Sequence, residues 1–144
     1  MNVNKLIKYR NKNIIIDKIL EHIFLKNGLV LPRTVKLGKG VIFPHNSVGT
    51  VIHPYTIIGD NVKIYQNVTI GRADVYNDID SSKFEKIIIK NNAILCAGSK
   101  ILCKKGTLVV EEKSIVAANA VLIQSTGVKE IWGGIPAKRI GYRK

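Results

Sequence analysis

Beyond residue 30 the chain keeps a period of six. Leu31, Leu37 and Phe43 stand six apart, and after a nine-residue step so do Ile52, Ile58, Ile64 and Ile70. A longer gap precedes Ile89, Leu95 and Ile101, and Val110, Val116 and Leu122 follow. Three places after such positions stand Gly40, Asn46, Asn61, Asn67, Asn92, Gly98 and Asn119. Gly and Asn tolerate left-handed backbone angles, so each marks a tight corner. One place further stand small or β-branched residues: Val35, Val41, Ser47, Thr56, Val62, Val68, Ala93, Ser99, Ser114 and Ala120. These fit a crowded corner or a strand. A unit with one inward aliphatic and one corner cannot bury itself. It must stack on its neighbours, which predicts a solenoid of short parallel strands. With three units per triangular turn, residues three hexads apart stack, as Ile52 on Ile70. Physics alone does not give the hand; the general rule for parallel crossovers favours right-handed connections.

The 144 residues suit one domain. It divides into a helical segment over 1–28, the repeat over 29–127 and a C-terminal cap over 128–144. Residues 4–25 read as helix: Ile15, Ile16, Ile19, Leu20, Ile23 and Phe24 recur at three- and four-residue steps and predict one buried stripe. Asn27-Gly28 is its stop. Residues 71–88 break the repeat with a polar run, Arg72 to Ser82, that predicts a loop leaving the solenoid.

A hydrophobic fraction of 46% with 23% charged residues argues against disorder. No apolar stretch reaches the roughly 18 residues of a membrane span, and Met1 to Arg10 lacks a signal-peptide pattern. Two cysteines make no disulfide scaffold and suit a reducing compartment, so a cytoplasmic protein is expected. The net charge of +13 favours anionic partners: nucleic acid, a phosphate-rich cofactor or an anionic membrane. Dispersed lysines also serve solubility alone. No groove-reading or base-stacking motif is present and aromatics are 6%, so nucleic acid is not expected.

Three histidines are candidates for proton transfer. His22 lies in the helix and reads as structural. His53 follows the inward Ile52 and reads as an outward structural residue. His45 follows Phe43-Pro44, just before the period breaks, where a side chain is re-aimed; spacing alone leaves it structural or catalytic. Three histidine ligands with two close in sequence would suit zinc, and these do not offer that arrangement. Asp74, Asp78 and Asp80 loosely resemble calcium spacing without the glycine and distal glutamate of such a loop. No metal is expected, and Asn46, Asp74 and Asp78 remain candidate acceptor contacts. Cys96 sits where small residues recur, and neither it nor Cys103 has an adjacent histidine, so a covalent acyl-cysteine is not expected.

The hexads Ile58-Gly59-Asp60-Asn61-Val62-Lys63 and Leu95-Cys96-Ala97-Gly98-Ser99-Lys100 resemble the repeat of left-handed parallel β-helix acyltransferases. Leu37 to Gly71, with His45, Gly49, Ile52 and Gln66 to Gly71, resembles the serine acetyltransferase branch and the short sugar O-acetyltransferases. Gly134-Ile135-Pro136-Ala137-Lys138 resembles the family's closing motif. The resemblance covers about residues 30–141. It implies an all-β solenoid, a left-handed parallel β-helix with a short N-terminal α-helix and an extruded loop. It further implies acetyl-CoA as cosubstrate, a homotrimer with sites between subunits, and His45 as general base. Gly71, Ala97 and Ala118 match positions along the pantetheine arm. Arg72 replaces a family glycine and either alters that contact or reaches a phosphate. Lys138 and Arg139 are candidates for the nucleotide phosphates or for plain surface charge, and Trp132 for capping the solenoid's end in preference to stacking on the adenine.

The sequence also departs from the serine branch. Pro44 stands where that branch has an aspartate, and Val30 near a second. The stretch Ser82 to Lys86 lacks its loop histidine, and the large helical N-terminal domain of that branch is not expected here. These points favour a sugar or nucleotide-sugar hydroxyl of a surface-polysaccharide precursor as acceptor, with L-serine as the alternative.

Overall fold

A computed structural model describes residues 2–144. Its strands are β1 (Lys36–Leu37), β2 (Val51–Ile52), β3 (Thr56–Ile58), β4 (Lys63–Ile64), β5 (Thr69–Arg72), β6 (Phe84–Ile89), β7 (Ile94–Leu95), β8 (Lys100–Cys103), β9 (Gly106–Val110), β10 (Ile115–Val116), β11 (Val121–Leu122), β12 (Glu130–Gly134) and β13 (Ala137–Tyr142). They form three sheets, β1-β3-β6-β9, β4-β7-β10-β12-β13 and β2-β5-β8-β11. The chain thus visits the three sheets in rotation and returns beside its earlier strands. All pairings are parallel except β12 with β13. Ile52 stacks on Ile70, as the hexad period predicts.

Twelve of the thirteen periodic aliphatic or aromatic residues are buried, and Leu37 is half-buried against them. The Gly and Asn corners at 40, 46, 61, 67, 92, 98 and 119 all have positive φ. The ten small or β-branched residues that follow are all buried. Departures from the period are insertions in the register. Leu37 pairs with Ile58 across the step after Phe43, and Ile64 with Leu95 across the extruded segment. That segment is shorter than expected: it returns at Phe84, because Ile87 and Ile89 complete a rung against Thr56 and Ile58.

The N-terminal segment differs from a single helix over 4–25. It comprises α1 (Val3–Leu6), a 3-10 turn over Ile7–Tyr9, and α2 (Ile14–Lys26). Asn13 caps α2 by accepting from the Ile15 amide at 2.7 Å. Asn11, with φ 63°, bends the chain between them. Only Asp17, Leu20 and Phe24 of α2 are buried, so Ile15, Ile16 and Ile19 do not face the core. Arg10 explains the rotation. Its side chain is buried, donates to the Pro32 carbonyl at 2.9 Å and lies 3.3 Å from Asp17, so this face of α2 is turned inward by an ion pair.

Beyond β11 the first sheet gains no further strand. Ser125 and Thr126 satisfy its backbone instead: the Val109 amide donates to Ser125 Oγ and the Thr126 amide to the Val109 carbonyl. β12 and β13 then close the end of the stack. Trp132 is buried there, its indole N–H donating to Glu130 at 2.8 Å, so it caps the end as expected.

Candidate active site

The nine-residue step after Phe43 becomes a tight turn, Pro44–Ser47. His45, Asn46 and Ser47 have φ of 54°, 57° and 47°. Three consecutive left-handed non-glycine residues cost on the order of 1–2 kcal/mol each, so the surroundings must hold them. Asn4 clamps the strand before the turn, accepting from the Phe43 amide at 2.7 Å and donating to the Phe43 carbonyl at 3.0 Å. Asn46 Oδ1 accepts from the Val3 amide at 3.0 Å. The Ser47 hydroxyl is buried and donates to the Ile64 carbonyl. The outcome is an exposed His45 on a rigid ledge. Its ring is 6.4 Å from that of Tyr65 and has no hydrogen bond to any described residue.

Below the ledge runs a corner between the second and third sheets. Ile64, Leu95, Val116 and Trp132 are in register inside. The residues after them continue the ladder: the Tyr65 amide donates to Leu95, Cys96 to Val116 and Ala117 to Trp132. One place on, the Gly98 amide donates to the Gln66 carbonyl and the Asn119 amide to the Ala97 carbonyl. Ala97 and Ala118 therefore stack beneath Gln66, beside a second column of Tyr65, Cys96 and Ala117. Gly133 ends that column and pairs with Lys138. Below Tyr65 and Gln66, three further rungs at about 4.8 Å spacing carry a strip of small side chains roughly 14 Å from the His45 end towards Lys138. Gln66 Oε1 is buried on this strip without a hydrogen-bond partner. At the far end Trp132, Lys138 and Arg139 line a cavity of about 370 Å³.

His45, Ala97, Ala118 and Lys138 are thus brought to one corner. Other expected residues are used differently. Asn46 spends its carbonyl on Val3. Arg72 does not point away for a phosphate: its guanidinium donates to Asp74 at 2.9 Å and to the Asn77 carbonyl at 2.7 Å. Asp74 is 2% exposed and also accepts from Ser82 at 2.6 Å, so it latches the extruded loop rather than meeting an acceptor. Ser82 in turn accepts from the Phe84 amide, tying the latch to β6. Arg139 donates to Glu130 and to the Tyr142 hydroxyl. Asp78 is exposed, and its carbonyl holds the turn over Ile79–Ser81. Gly71 pairs with Leu102 in the third sheet, away from the corner; a Cβ there would meet nothing closer than the Thr69 methyl at 4.0 Å. Asn4 and Tyr65 were not legible from sequence, because their roles come from long-range contacts.

His53 is structural. Its Nδ1 accepts from the Tyr55 amide at 3.1 Å, and its ring packs edge-on against Phe84 at 4.8 Å. Burial, then the Arg72 charge, push its pKa down, so it stays neutral with the proton on Nε2. Burial pushes the Cys96 and Cys103 thiols up, which disfavours a reactive thiolate. No cluster able to hold a metal occurs among the described residues.

The Ser82 hydroxyl, then Arg72, hold the Asp74 carboxyl below its ordinary range. With the folded pKa lowered, the unfolded chain binds more protons between the two values, so the latch stabilises at neutral pH and is lost as pH falls through the folded value. Asp74→Asn is expected to flatten the acid limb of a Tm-against-pH curve and to expose Arg72 to trypsin. Unchanged cleavage at Arg72 would show that the latch does not hold the loop.

No family model matches the chain. Serine acetyltransferase of Staphylococcus epidermidis is 30% identical over 134 residues, 89% of this chain and 56% of that protein. Serine acetyltransferase of Synechococcus elongatus is 29% identical over 136 residues, 94% of this chain and 52% of that one. The crystal structure of Brucella abortus serine acetyltransferase in complex with coenzyme A superposes with a TM-score of 0.73 at 25% identity, covering 90% of this chain and 47% of that one. The soybean apoenzyme shares the fold, with a TM-score of 0.71. The hexad core and these relatives together place the protein: the chain belongs to the hexapeptide-repeat acyltransferase superfamily. It spans about half the length of the relatives it matches.

Proposed function

We propose that the protein is an acetyl-CoA-dependent O-acetyltransferase built on a left-handed parallel β-helix, with His45 as general base. The observation that carries this reading is the exposed imidazole at the head of a strip of small side chains. A neutral imidazole can take the proton of an attacking hydroxyl. His45 takes the acceptor's hydroxyl proton as the oxygen attacks the thioester carbonyl. The carbon–sulfur bond then breaks, and the thiolate leaves and takes up a proton. Backbone amides are the usual donors to such an oxyanion.

Coenzyme A fits this surface. Cys96, Ala97, Ala117 and Ala118 let an extended arm approach the backbone. Lys138 is exposed at the far end for a phosphate. Ala118→Trp is expected to raise KM for acetyl-CoA at least about tenfold with a smaller loss in kcat, by filling the strip. An unchanged KM would move the arm elsewhere.

The named relatives favour L-serine as acceptor over the sugar hydroxyl expected from the residues around His45, and we propose L-serine first. A second reading, a sugar or nucleotide-sugar hydroxyl, rests on this chain's own residues. Pro44 offers no carboxylate, and Val30 is built into the wall by its bridge to Val51. Thiol release from acetyl-CoA with L-serine and a panel of nucleotide sugars separates the two. Fast turnover of serine alone supports the first; turnover of a sugar alone overturns it. We also propose a homotrimer with sites between subunits, in which a partner completes the surroundings of His45. A stable monomer with full activity would contradict this.

A further inference from the structure

The helix α2 presents an outer face that the proposed chemistry does not use. Ile14 is 69%, Ile15 65%, Ile19 55% and Leu25 55% exposed. At 100° per residue these lie opposite the inward Leu20 and Phe24, and Lys18, His22 and Lys26 fall among them. The acidic residues of the helix are withdrawn from this face. Asp17 is turned inward against Arg10, and Glu21 lies 3.6 Å from Arg33. The outward face is therefore aliphatic and basic only. In the 3-10 turn that precedes α2, Tyr9 is 42% exposed with the ammonium groups of Lys8 and Lys12 at 5.1 and 5.3 Å from its ring. An aromatic ring between lysines is a side-chain set suited to a membrane–water boundary.

Charge decides which partner suits this face. The same face on a second copy would bring Lys18 and Lys26 against like charges with no acid to pair them, whereas a bilayer with anionic headgroups has the complementary sign. A helix with isoleucines and leucine on its free face and lysines beside them has the composition of one lying in the interface plane. We infer that α2, with Tyr9, Lys8 and Lys12, docks the protein on anionic lipid surfaces, isoleucines in the acyl boundary and lysines at the headgroups. The inference does not depend on the acetyl-transfer reading.

The test is sedimentation of the full chain with vesicles of phosphatidylcholine containing phosphatidylglycerol, against phosphatidylcholine alone. Binding is expected on the anionic vesicles only, weakening as salt is raised. Ile15→Asp with Ile19→Asp is expected to lower the bound fraction at least about tenfold, since two aliphatic side chains no longer leave water. Lys18→Glu with Lys26→Glu keeps the apolar residues and is also expected to lose binding. Both pairs are exposed, and unchanged circular dichroism verifies their folding. Equal binding to neutral vesicles, or none to anionic ones, overturns the inference. So does concentration-dependent light scattering that the Ile15/Ile19 variant abolishes without vesicle binding, because the face would then belong to a second copy.

Discussion

Replacing His45 with Asn is expected to lower kcat roughly a hundred- to ten-thousandfold, the usual contribution of a positioned general base. Asn tolerates the left-handed φ that His45 adopts, so the turn survives. The side chain is exposed and makes no hydrogen bond to a described residue, so Tm and coenzyme A affinity should barely change. His45→Ala should match it in kcat. Calorimetry and isothermal titration with coenzyme A separate this outcome from general damage. Near-normal turnover in both variants would remove His45 as the base. A collapse in stability would make it structural instead.

The second large effect is expected at Asp17. Its carboxylate faces the buried Arg10 guanidinium and also accepts from the Asn11 amide at 3.1 Å. Burial already pulls the Arg10 pKa down, with Asp17 opposing that pull. Asp17→Ala leaves a buried cation without its counterion, which costs about 3–5 kcal/mol. For a chain of this size that is a Tm loss of roughly 10–17 °C. Arg10→Met with Asp17→Leu removes both charges and should recover most of the loss, because replacing a whole buried pair is often neutral. If the single variant melts like the parent, the pair does not hold α2 in its rotation. The outward face of that helix would then lose its explanation.

The repeat was legible because its signals reinforce one another. An inward aliphatic every six residues, a Gly or Asn three places on and a small residue after that report one geometry three times, and the structure places all three as read. The α2 face was misread for a physical reason. Ile15, Ile16, Ile19 and Ile23 look inward by hydrophobicity, but the buried Arg10–Asp17 pair rotates the helix, and no periodicity reports a long-range ion pair. The loop residues failed similarly. Arg72 and Asp74 each suggest a ligand when considered alone. Two residues apart, with Ser82 beyond, they satisfy one another. His45 stood out through the break in period, yet the clamps that hold its turn, Asn4 to Phe43 and Asn46 to Val3, join segments about 40 residues apart.

A crystal structure of the protein with coenzyme A tests the central claim most directly. The arm should lie along Ala97 and Ala118, with its sulfur within about 4 Å of the His45 imidazole, directly or through the acceptor's place. A sulfur bound at another corner, with His45 facing bulk solvent, would contradict it.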